Sequence, residues 1–236
     1  MKDPNYVKPV SLWNFSRILS PDFILPCLEK LGSAKKVPKN TYIYRSDEIP
    51  DCCYIVKSGE VIALETTSGG NEFLHFLMDE NAMFGDVNML MEKPLPIRFR
   101  TATDCELICI PKEKLMKAIA QDSRIFMELY LSAANKFLDS IEELREFKLY
   151  PASWRLIKML LTFADKYGTD YDGKLLIRRK LSINYLSALI GVNRATTIWS
   201  LNSLKEEKLI ETVNGFYCIR NPEALKKYQI RLAEDL

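Results

Sequence analysis

Histidine is almost missing: the 236 residues hold one, His75. The six cysteines, Cys27, Cys52, Cys53, Cys105, Cys109 and Cys218, include no CxxC pair. Zinc and iron–sulfur sites need such clusters, so none is expected. Also missing are a P-loop, a nucleophile elbow and any plausible Ser/His/Asp or Cys/His set, which leaves an enzyme with little to stand on. No run approaches the ~20 apolar residues of a membrane span. The start "MKDPNYVKPVSLWNF" lacks the layout of a signal peptide. A cytoplasmic location is the expectation. Cys105 and Cys109 fall in a strand-like run that holds them ~13 Å apart, too far for a disulfide. Buried, inert thiols are the favoured reading, with the adjacent Cys52 and Cys53 leaving a redox role open.

What is present is ordinary globular material, 47% hydrophobic and 27% charged, long enough for two modest domains or one large one. The net charge of +2 hides an asymmetry. Residues 1–150 carry 19 Lys and Arg against 22 Asp and Glu, whereas residues 151–236 carry 14 against 9. A basic C-terminal third is a mild footprint of nucleic acid.

Three patterns follow one another. Between about residues 35 and 110 lie short runs such as "CCYIVKSGEVIALETT" and "CELICIP", rich in β-branched and aromatic residues and broken by Ser58-Gly59 and "TSGGNE". They predict an antiparallel barrel or jelly roll. Beyond Pro111, Phe126, Tyr130, Ala133, Phe137, Ser140, Leu144 and Phe147 recur at steps of four and three, the seam of a helix from about 122 to 149 that seeks a partner. After Pro151, "ASWRLIKMLLTFADKYG" is an apolar-striped helix and "GKLLIRRKLS" is strand-like. Ser182 caps "INYLSALIG", Asn193 caps "RATTIWSLNSLKEEK", and "LIETVNGFYCI" is a hairpin on an Asn-Gly turn. Two helices joined at a tight Gly turn and followed by a hairpin make a winged helix-turn-helix. The fold class expected is α+β, in three parts: a sensing β-barrel over 1–120, a dimerisation helix over 121–150 and a winged helix-turn-helix over 151–236.

This order resembles the Crp/Fnr family (cyclic-AMP receptor protein and fumarate-nitrate regulator) of bacterial transcription factors, from roughly residue 15 to 225. The likeness is most specific in "LSALIGVNRATT", similar to the family's helix-turn-helix, and in "FGDVNML", similar to its phosphate-binding cassette, which begins Phe-Gly-Glu. It implies a cytoplasmic homodimer on palindromic double-stranded DNA, each second helix in a major groove, modulated by a small effector. RNA polymerase is a further partner such a regulator can meet.

Residue by residue, the resemblance puts Arg194 at a base-contacting position, where a guanidinium bonds guanine in a bidentate way. Ser182, Asn193 and Thr196 match phosphate-holding positions. The two other reading positions, commonly Glu and Arg, are here Ala195 and Trp199. Thr197, Leu201 and Leu204 form the core stripe, so Trp199 points elsewhere: it presses on thymine methyls or backbone, or it folds over the winged domain. Arg178, Arg179 and Lys180 could support backbone binding.

The sensor departs further from the family. Its cyclic-nucleotide binders carry Arg-Ser after the cassette, where this chain has Leu95 and Pro96. Without that charge a buried phosphate lacks its counter-ion, so the expected effector is a small molecule other than a cyclic nucleotide. Gly85 and Asp86 keep the cassette's turn and ribose-contacting carboxylate, and Ser140 keeps a hydroxyl on the long helix. Arg98 and Arg100 are the candidates to replace the lost arginine. Phe84, Leu95, Ile97 and Ile141 line either an apolar cavity or a pocket collapsed on its own side chains. No cofactor is expected: Cys27 alone cannot hold an iron–sulfur cluster, and His75 reads as a strand histidine rather than a haem ligand. The alternative to a regulator is a ligand-binding or protein-docking module of the same fold that has lost DNA reading.

Overall fold

A computed structural model of the chain describes residues 21–234 apart from Asn71, with side chains from residue 24 onward. The N-terminal stretch read for a leader lies outside the described residues. The chain divides into two compact units after Ile141.

In the first unit α1 (Pro21–Leu31) precedes β1 (Ser33–Val37), β2 (Tyr42–Tyr44), β3 (Cys52–Ser58), β4 (Val61–Thr66), β5 (Glu72–Met78) and β6 (Met83–Phe84). A short helix, α2 (Asp86–Met91), leads to β7 (Arg98–Thr101), β8 (Cys105–Pro111) and α3 (Lys112–Gln121). The strands form two four-stranded antiparallel sheets, ordered β1-β8-β3-β6 and β2-β7-β4-β5. This is a jelly roll of two sheets and not a closed barrel.

Strand β3 shows why the layers form. Successive side chains point to opposite faces, so Cys52, Tyr54 and Val56 enter one core with Phe84, Phe99 and Leu107. Cys53 and Ile55 enter a second core with Ile24, Leu28, Leu115, Ile125 and Leu129. The first core lies inside the roll and draws on all eight strands; the second holds the helices against one sheet. A strand buried on both faces reads as an unbroken apolar run, as "CCYIV" does.

The long helix α4 (Ser123–Leu149) has 27 residues. At 1.5 Å of rise per residue its length is about 40 Å. Ile125, Leu129 and Ser132, at offsets of four and three, are buried against its own domain. The predicted seam faces away: Phe126, Tyr130 and Phe137 are 54%, 59% and 64% exposed, Leu144 and Phe147 are exposed too, and Ala133 is half-buried.

In the second unit follow α5 (Ala152–Tyr167), β9 (Gly168–Tyr171), β10 (Lys174–Ile177), α6 (Ile183–Ile190), α7 (Arg194–Glu206), β11 (Ile210–Val213), β12 (Phe216–Ile219) and α8 (Pro222–Glu234). The sheet order is β11-β12-β10-β9. Asn214 and Gly215 both have positive φ, 51° and 80°. That is the geometry of the type I′ hairpin turn the dipeptide signals. The hairpin β9–β10 turns on Asp172-Gly173 in the same way, with φ of 52° and 74°. Gly168 ends α5 in an extended conformation, because β9 starts there. The left-handed conformation usual for a terminal glycine is not used.

Candidate DNA-reading and sensor sites

The helix-turn-helix is held by its caps. Ser182 Oγ accepts from the Tyr185 N–H at 3.2 Å, and this side-chain cap starts α6. Gly191 ends it at φ 65°, a left-handed conformation that costs glycine nothing. Asn193 Oδ1 accepts from the Thr196 N–H at 2.8 Å and the Thr196 hydroxyl at 3.0 Å, starting α7. Between the helices the Ser187 and Thr197 hydroxyls share a buried hydrogen bond of 2.8 Å. Thr197, Leu201 and Leu204 are buried, so the core stripe lies where expected.

The outer side of α7 is bare. Ala195 is exposed and Trp199 is 68% exposed, so the indole is not folded over the winged domain. Ile198 and Asn202, which sequence reasoning passed over, are exposed on the same side. Arg194 Nη1 donates to Asn184 Oδ1, an unforeseen residue on α6 that steadies the guanidinium at the start of the reading helix. The basic run needs correcting: Arg178 and Lys180 are exposed, but Arg179 donates to the Tyr167 hydroxyl at 2.7 Å and lies over the rings of Tyr167, Phe163 and Tyr185. Strand-like alternation turns it inward, away from any phosphate.

The end of α4 belongs to this unit and touches the turn. A Cβ on Gly191 would stand 2.5 Å from Phe147 Cε1. Arg155 lies 4.4 Å over the Phe147 ring and donates to the Ile190 carbonyl at 3.1 Å. Phe147, expected in the seam, therefore also covers the helix-turn-helix turn. One residue back, Glu146 takes Lys158 Nζ on both its oxygens at 2.5 and 2.6 Å, both side chains buried. Burial pushes the neighbouring Glu143 carboxyl up to about 7, with Lys158 opposing the rise and Glu146 adding to it. Its folded pKa exceeds the usual 4.5, so between those values Glu143 holds its proton in the native state while the unfolded chain has lost it. Stability from this group is present below about pH 4.5 and falls as pH rises to about 7, by up to about 3 kcal/mol. Glu143→Gln is expected to flatten that slope in urea unfolding curves taken on either side of this window.

Aromatic rings pack together inside the roll beside the cassette. Phe84 stacks between Tyr54 and Phe99, with centroids 5.2 and 5.0 Å away, and Tyr44 lies 4.7 Å from Phe99. Ile97 and Leu95 pack against this group. Three of the four expected lining residues, Phe84, Leu95 and Ile97, are thus brought together with these rings, and Ile141 is not. Pro96, Ser140 and Ile141 stand apart from that core: all three are exposed, and the Ser140 hydroxyl donates to the Lys136 carbonyl of its own helix. Gly85, at φ 80°, turns the chain into α2. Asp86, expected to be offered to a ribose, is buried and takes both its bonds from Lys136 on α4, at 2.8 and 2.9 Å.

Neither candidate for the missing cassette arginine lies on the buried face of its strand. Arg100 is held by Glu72 through two bonds of 2.9 Å, and both Arg98 and Arg100 lie on the face of β7 opposite the buried Phe99. His75 Nε2 lies 3.4 Å from Glu65 Oε2, across β5 and β4. The six thiols are free. Burial pushes Cys52 up to about 12 and raises Cys53 as well, which keeps both as thiols. Among the described residues no group of His, Cys, Asp and Glu could hold a metal ion, and no helix is long and apolar enough to cross a membrane.

Comparison with known proteins agrees with this geometry. Residues 34–122 match the cyclic nucleotide-binding domain, and residues 155–228 match the Crp-like helix-turn-helix domain. The chain belongs to the Crp/Fnr family of transcription regulators. Among the relatives of this Crp/Fnr chain is the HTH-type transcriptional regulator ArcR of Staphylococcus epidermidis, 27% identical over 73% of this chain and 75% of that one. The anaerobic regulatory protein of Bacillus subtilis is 21% identical over 83% and 82%. In fold, the Crp/Fnr chain is similar to the c-di-GMP responsive global regulator CLP of Xanthomonas campestris, with a TM-score of 0.74, 17% identity and coverage of 84% and 98%. The survival of both caps, the turn and the wing argues against a module that has lost DNA reading.

Proposed function

We propose that the protein works as a homodimer on palindromic DNA, reading it with α7 and taking a signal at Asp86 that is not a cyclic nucleotide. The observation that carries the DNA reading is α7 itself: capped, packed through Thr197, Leu201 and Leu204, and bare along its other side from Arg194 onward. A helix presented this way by a helix-turn-helix enters the major groove with its N-terminal residues at the bases. Ser182, Asn193 and Thr196 sit at helix starts, where backbone N–H groups and the macrodipole favour phosphate. Two copies of the exposed α4 seam, packed together, would set two reading helices about one helical turn apart. RNA polymerase is the further partner proposed for such a dimer.

The cyclic nucleotide is disfavoured by three features that act together. The cassette has Leu95 and Pro96 where a phosphate needs a cation, Asp86 is already occupied by Lys136, and the stacked rings of Phe84 and Phe99 pack beside them. An effector entering here has to part Asp86 from Lys136, and it shifts the protein only if it binds that opened state better than the closed one. An aromatic or apolar acid suits both the rings and the released Lys136.

Arg194→Ala is expected to weaken binding to a selected palindrome by about 1–3 kcal/mol and to relax preference at one base pair of each half-site. Fluorescence anisotropy on the selected duplex and on a scrambled one measures both. An equal loss on both duplexes would instead make Arg194 a phosphate contact, and no loss on either would remove it from the interface.

A further inference from the structure

We infer that the bare face of α7 is a reader of A·T pairs, in which Ala195, Ile198 and Trp199 meet thymine methyl groups and Asn202 pairs with adenine. The inference rests on the DNA-reading function proposed above and narrows it to a class of operator.

These four residues stand at offsets of three, four and seven, which on a helix is one continuous stripe. The stripe lies opposite the buried Thr197, Leu201 and Leu204, so the residues that can reach a groove are fixed by those that cannot. All four are exposed, and the two large apolar ones remain so although their own domain has a core on the other side of the helix. From Ala195 to Asn202 the stripe carries no cation and no carboxylate.

Chemistry then limits what it can recognise. Guanine is told from the other bases by two acceptors, O6 and N7, that want a two-pronged donor such as arginine, and cytosine by an amino group that wants an acceptor. Methyl and methylene groups and a flat indole offer neither. The one apolar landmark on the floor of the major groove is the C5-methyl of thymine. The single polar member, Asn202, has the amide geometry that bonds adenine N6 and N7 together. Both kinds of contact select the same base pair from its two sides. Arg194, at the margin of the stripe and steadied by Asn184, is left as the one side chain suited to guanine.

The test removes methyl groups from the DNA and leaves the protein intact. A duplex is first selected from a random pool by the full chain. Each thymine of that duplex is then replaced singly by deoxyuridine, which pairs identically but lacks the C5-methyl, and binding is measured by anisotropy. Burying one methyl is worth a factor of ~3–4 in affinity, so a loss of that size is expected at two or three thymines of each half-site. The loss at one of these should vanish in Trp199→Ala and at another in Ile198→Ala. Tight binding to the selected duplex with no thymine sensitive to the change would overturn the A·T reading and leave the regulator standing. Failure to enrich any duplex would overturn both, and the exposed Ile198–Trp199 patch would then be a protein-docking surface.

Discussion

Glutamate at both Tyr130 and Phe137 is expected to turn the proposed dimer into a monomer of 27.3 kDa in light scattering. With that change, affinity for a palindromic operator should fall by about 10²- to 10⁴-fold. The size follows from linkage: once one reading helix is bound, the second acts at the high effective concentration that the shared seam provides, and a monomer loses this gain. Both side chains are more than half exposed on a helix whose other face is already buried. Charges there should leave the fold intact and act only on assembly. Leu129→Ala is the contrast, since it opens a hole beneath α4 and should lower the melting temperature without first changing the mass. Retention of the dimer by the double glutamate variant would mean that another surface holds the copies together.

Lys158→Met should destabilise the C-terminal unit by about 3–5 kcal/mol, the usual cost of removing one member of a buried ion pair. Glu146 would be left without its counter-ion in surroundings that already raise its pKa through burial, with Glu142 beside it. Met matches the four-atom stem of the lost side chain without its ammonium group, so packing is nearly conserved and the loss reports on charge. Changing Glu146 to Leu as well should recover most of the stability, because a buried pair replaced whole by apolar groups is often neutral or better. Urea unfolding of the single and double variants gives both numbers. A single variant as stable as the parent would show that Glu146 reaches water or takes up a proton at no cost.

How much of this was legible beforehand depended on how local the cause was. Helix α4, the caps at Ser182 and Asn193 and the Asn214-Gly215 hairpin were all readable, since each is set by residues within a few positions of one another. Strand β9 was missed because "GTDY" is polar and exposed and shows no alternation. Helix α8 was missed because Leu225 is its one buried residue, too little for an apolar stripe. In the sensor, Phe84, Leu95 and Ile97 could be picked out as apolar lining. That Tyr44 and Phe99 would pack with Phe84, and that Lys136 would take Asp86 from 50 positions away, are long-range facts with no local signal. Asn202 could have been found by carrying the α7 stripe one turn further.

The contact between Phe147 and Gly191 changes what counts as a transplantable part. A cut at Pro151, the natural seam in the sequence, would strip away Phe147 and Glu146, uncovering the turn ahead of α7 and leaving Lys158 without its partner. The piece that can be grafted onto another sensor, or produced by itself, begins at Glu142, where the compact unit starts. The last two turns of the long helix thus travel with the DNA-reading domain as part of its core. Any chimera joined downstream of them would inherit a defect that no change in its sensor could repair.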